Sequence, residues 1–114
     1  MTLFDLLTHT AQLDTDLLRK NDLLGDVFTT PRQVNFDFES MERERAEDLA
    51  EFVNGKNYGV AEVTELEAGR FLIVVLITMP ITQHLICSVS GFMLCLSRVF
   101  QVDYQGWGSV VQGS

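Results

Sequence analysis

The sequence predicts an α+β domain: one antiparallel sheet of four strands, two helices packed on it, and one further helix in front. Three observations carry that prediction. Apolar residues recur at helical spacing in three long segments. They alternate with polar residues in short runs between those segments. One central run, "RFLIVVLITM" (residues 70–79), is apolar almost throughout. With 114 residues, of which 46% are hydrophobic and 21% charged, the chain has the size and composition of one folded domain.

Residues 3–24 place Leu3, Leu6, Leu7, Leu13, Leu17 and Leu24 at helical spacing, with polar residues between them. This is an amphipathic helix, with a break expected near Asp14 to Asp16. Gly25 and Asp26 end it, so residues 1–26 form an N-terminal segment packed on the domain. "VFTTPR" is a loop, and Pro31 favours an extended entry into the next segment. In "QVNFDFES" Val34, Phe36 and Phe38 point one way and Asn35, Asp37 and Glu39 the other, the pattern of a half-buried strand. Ser40 is placed to cap the next helix, whose first turn holds Glu42 and Glu44. Its inner stripe is Ala46, Leu49, Ala50 and Val53, and Gly55 stops it.

"YGVAEVTEL" reads as the second strand and "EAG" as a hairpin turn into the apolar run. Pro80 suits the start of a last helix, with Leu85, Val89, Phe92 or Met93, Leu96, and Val99 or Phe100 on its buried stripe. "VDYQGWGSVV" closes the domain as the fourth strand. From residue 33 to residue 112 the order is therefore β-α-β-β-α-β, the ferredoxin-like split β-α-β pattern. That pattern sets both of its helices on one face. The third strand is apolar on two faces, so the other face needs a cover as well. The expected cover is the N-terminal helix, through Leu13, Leu17 or Leu24, or else a second copy of the chain.

Several function classes are disfavoured. A net charge of −8 repels phosphate backbones, and the eight Lys and Arg form no patch, so no direct nucleic-acid binding is expected. Acidity suits solubility, and it suits docking on a basic protein. Cys87 and Cys95 lie eight positions apart on a helix, about 12 Å, and cannot bridge. They fit a reduced, cytoplasmic protein, and "MTLFDLL" has an acid where a secretion signal needs a base. The apolar region Phe71 to Val102 is cut by Thr78, Pro80, Thr82, Gln83 and His84, so no membrane span is expected.

Chemistry is sparse. His9 and His84 have no Cys or carboxylate at metal-ligand spacing, and no phosphate loop or nucleophile elbow occurs. Glu62 and Glu65 point to opposite faces of a regular strand and form no acid–base pair. "ESMERERAED" is a mixed-charge run in which Arg43 and Glu47, and Glu44 and Asp48, fall at i, i+4, and it reads as a solvated helix face. No catalytic residue, metal or cofactor is expected. The lone Trp is the remaining oddity. In a regular strand Val102 and Tyr104 share one face, and Asp103, Gln105 and Trp107 the other. Gly106 invites a bulge that would swing Trp107 to the side of Tyr104. Trp107 is then either a core residue under the N-terminal helix or a partly exposed anchor for a protein partner.

Two segments resemble the regulator of ribonuclease E activity B (RraB) family, also called ribonuclease E inhibitor B. One is "GDVFTTPRQVNFDFES", with Asp26 after Gly25, the pair Pro31 and Arg32, and the aromatics Phe36 and Phe38 on a strand. The other is "VDYQGWGSVV", with an acid-Tyr-x-Gly-Trp-Gly core formed by Asp103, Tyr104, Gly106, Trp107 and Gly108. The resemblance implies a ferredoxin-like domain that binds ribonuclease E, or a related RNA-processing enzyme, and inhibits it without catalytic residues of its own. Asp103, Tyr104 and Trp107 are the candidate partner contacts, on a monomer or homodimer. A second reading is an enzyme or small-molecule binder using a cleft between the sheet and the N-terminal helix; the lack of a convergent His, Cys or carboxylate set weighs against it.

Overall fold

The computed structural model describes residues 1–113. Seven elements succeed one another: α1 (Leu3–Leu23), β1 (Arg32–Ser40), α2 (Arg43–Gly55), β2 (Val60–Glu67), β3 (Arg70–Met79), α3 (Gln83–Phe100) and β4 (Asp103–Ser109). The strands form one antiparallel sheet in the order β2-β3-β1-β4. The apolar run is β3, and it lies inside the sheet between β1 and β2.

The alternation in β1 sets the core. Val34, Phe36 and Phe38 are fully buried and pair across to Ile77, Val75 and Ile73 of β3. Ala46, Leu49 and Val53 of α2 close over this face, as their spacing predicts, and Ile86, Met93 and Leu96 of α3 complete it. Ser40 does not cap α2. It is the last residue of β1, and its hydroxyl accepts from the Glu42 N–H at 3.0 Å, turning the chain before the helix begins at Arg43. Arg43 instead lays its guanidinium over the Phe71 ring.

The N-terminal helix departs from expectation in two ways. It is unbroken through Asp14 to Asp16, opened by a capping box in which Thr2 and Asp5 satisfy each other's backbone N–H groups. It also does not cover the far face of the sheet. α1 touches α3 and β4 and no other element. Leu13 and Leu24 remain outside, 54% and 65% exposed, and the side turned inward carries Asp14, Leu18 and Asn21. The physical reason lies in α3. It buries one side on the sheet and a second side, with Ser90, Leu94 and Ser97, toward its other neighbours, while Leu85, Phe92 and Val99 stay exposed. The cleft expected between sheet and N-terminal helix therefore does not exist. Leu72, Val74 and Leu76 of β3 face away from all helices and are half-buried by their own strand neighbours.

Candidate functional site

The terminal strand reaches its site through an irregularity. Phe38 pairs with Tyr104 and Phe36 with Trp107, so two steps on β1 face three on β4, and the register shifts between Asp37 and Phe38. Gly106 takes φ +100°, a conformation side chains disfavour, and lets the strand bulge. Tyr104 and Trp107 thereby come to one face, the face of the helices. Trp107 is 7% exposed and Tyr104 packs its ring 5.1 Å from that of Phe38. Asp103, opposite Glu39, stays exposed near the start of β4.

The indole meets a buried acid. Trp107 Nε1 donates to Asp14 Oδ1 at 3.0 Å, and Ser90 Oγ donates to the same oxygen at 3.0 Å. Ser90 has one hydroxyl proton, so the Tyr104 hydroxyl, 2.8 Å away, is the donor to Ser90. The result is a directed chain, Tyr104 to Ser90 to Asp14, joined by Trp107 from the side. It ties α1, α3 and β4 together at one point. Asp14 is 4% exposed, and its Oδ2 has no partner among the described residues. Burial pushes the Asp14 carboxyl above its ordinary range, against the pull of the Ser90 and Trp107 hydrogen bonds. Burial also raises the Tyr104 hydroxyl. The Cys87 thiol is pushed up by burial and then by the charge of Asp14.

A second buried cluster explains the Asp26, Pro31 and Arg32 motif. Asp26 and Arg32 form a wholly internal ion pair, Nη1 to Oδ1 at 2.7 Å. Asn21 donates to Asp26 at 3.1 Å, and the Gln112 N–H donates to it at 3.3 Å. The guanidinium also donates to the carbonyls of Val27, Thr30 and Val110. One pair thus fastens the end of α1, the loop before β1 and the segment after β4. Pro31 itself is exposed and leads the chain into the strand.

Most of the motif residues marked by sequence are thus structural. Phe36, Phe38, Trp107, Asp26 and Arg32 are internal. Gly106 forms the bulge. Gly108 lies against Asn35, where a Cβ would stand 3.3 Å from Oδ1. Sequence reasoning missed Asp14 and Ser90. The available signal was spacing: Leu7, Asp14 and Asn21 recur every seven residues on the inward side of α1, an unusual place for an acid. Chemically the cluster holds a helix against its neighbours. It presents no open nucleophile or metal-binding group, and among the described residues no three His, Cys, Asp or Glu converge.

Such a fold and site define a compact α+β domain whose buried polar groups brace its own elements. The family model "Regulator of ribonuclease activity B", RraB, matches residues 11–109. The chain belongs to the RraB family. A comparison with curated proteins finds no match.

Proposed function

We propose that this chain is a non-catalytic regulator that binds a ribonuclease and lowers its activity, with ribonuclease E or a related RNA-processing enzyme as target and the cytoplasm as its place of action. The observation that carries this reading is the family match over residues 11–109, which spans α1 to β4. The geometry supports it. Both buried acids are taken up internally, Asp14 by Trp107 and Ser90 and Asp26 by Arg32, leaving the surface as the part of the molecule that acts. β1 and β2 each run antiparallel to β3 and so parallel to one another, an arrangement that supports reading the domain as two interleaved β-α-β units. In this reading exposed Asp103 is the partner contact of the terminal strand, while buried Trp107 and half-buried Tyr104 hold that strand in place.

Sedimentation velocity of the purified chain with full-length ribonuclease E tests the reading. The expected result is a faster-moving complex. Absence of a complex, together with breakdown of labelled RNA or a small-molecule ester by the chain alone, overturns it.

A further inference from the structure

The helix-free face of the sheet has a charge pattern as well as an apolar stripe. Leu72, Val74 and Leu76 project from β3 on that face. Val60, 60% exposed on β2, pairs with Leu76 and widens the stripe. Acids border it on both sides. Val74 lies between Glu62 of β2 and Asp37 of β1, and Leu72 between Thr64 and Glu39. Farther out, Asp103 stands beside Glu39, while Gly106 and Gly108 stand opposite Asp37 and Asn35, so this part of β4 is bare backbone. Among the described residues the one base that borders the stripe is Arg70. Its guanidinium is held by Glu39 at 2.7 Å and Glu67 at 2.6 Å. Among the described residues no Lys or Arg pairs with Asp37, Glu62 or Asp103.

We propose that this face docks a basic amphipathic helical segment of a protein partner, its apolar residues on Leu72, Val74 and Leu76 and its Lys or Arg against Asp37 and Glu62. The proposal deepens the reading of the chain as a protein-binding regulator and rests on it for the partner's identity. Three arguments favour this occupant. A sheet with a half-buried apolar face takes a second layer, and a helix is the layer that fits a single stripe. Leu72 to Leu76 spans about 13 Å of strand, close to the roughly 12 Å between positions i and i+8 of a helix. A second copy of the chain fits badly. Face-to-face pairing would bring Asp37, Glu39 and Glu62 toward their own kind in two molecules that each carry a net charge of −8.

The test uses three fluorescent peptides of roughly eighteen residues, long enough to form helix. One has a Leu stripe flanked by Lys, one the same stripe flanked by Glu, and one the Lys composition with the stripe scrambled. Anisotropy measures binding to the full chain, and amide NMR shifts map it. The Lys-striped peptide should bind, perturb Val60, Leu72, Val74 and Leu76, and weaken with salt. The Glu and scrambled peptides should not bind. Glu62→Lys, an exposed change, should weaken binding about tenfold while leaving the unfolding temperature unchanged. Equal binding of all three peptides, shifts confined to α2 and α3, or a homodimer whose contacts map to Val74 would overturn the proposal. The same variant with full-length ribonuclease E separates the two readings. A complex untouched by Glu62→Lys defeats this surface and leaves the regulatory role standing. Specific peptide binding without any ribonuclease complex does the reverse.

Discussion

At Asp14, an acid sits where an amphipathic helix ordinarily places a Leu, and the fold supplies it with two donors from far along the chain. Its partners are 76 and 93 residues away in sequence, so no local pattern reveals them. Trp107 was legible because Gly106 announces a bulge; Asp14 was not, because an acid among polar neighbours reads as a solvated one. Trp107→Ala should destabilise the fold by about 3 to 5 kcal/mol, through lost packing and a less satisfied Asp14. Denaturant unfolding checks this, and blue-shifted indole emission in the parent is the companion observation. The carboxyl of Asp14 is raised by burial, so the folded state holds its proton more tightly than the unfolded chain does. Its contribution is complete below the ordinary value of 3.8 and is lost as pH rises through the raised value. Glu39, held down by Arg70, acts in the opposite sense and loses its contribution as pH falls. Asp14→Asn removes only the first of these. Urea midpoints at about pH 7 and about pH 4.5 should therefore show the parent gaining on the variant as the solution is acidified. An equal difference at both values would mean that Asp14 is not raised.

Among the elements, β1 and β3 were readable to within a residue because alternation and an unbroken apolar run leave little choice. α2 was readable by its stripe, although Ser40 closes a strand rather than capping the helix. α1 and α3 were harder for one shared reason. Each presents a side to the other as well as to the rest of the molecule, and such a contact admits Asp14, Asn21, Ser90 and Ser97 where a one-sided stripe would show Leu. Gly106→Ala should cost about 1 kcal/mol or somewhat more. Nothing lies within 4 Å of the added Cβ, so the cost is that of its positive φ alone. A thermal-unfolding comparison with Gly108→Ala, where the new Cβ crowds Asn35, separates backbone strain from close approach. Arg32→Ala should cost more, about 3 to 5 kcal/mol, because it leaves Asp26 charged and buried without its partner.

Across the whole molecule, the α+β class and the element order were legible, and the placement of the first helix was not. Sequence shows that β3 is apolar on both faces, but it cannot say whether the second face is covered within the chain. α1 covers α3 and the indole instead. Deleting residues 1–24 should therefore expose Trp107 and the second side of α3, giving red-shifted emission and aggregation. The same arrangement leaves the acidic, apolar-striped face of the sheet without a helix, and that is the face the proposed docking uses. Whether contact alone lowers a ribonuclease activity is tested most directly by the initial rate at which full-length ribonuclease E cleaves a labelled RNA as this chain is added. The expected result is a saturable fall in rate, reaching its limit where the protein complex is fully formed. A rate that stays constant while the complex forms would contradict a regulatory role by contact.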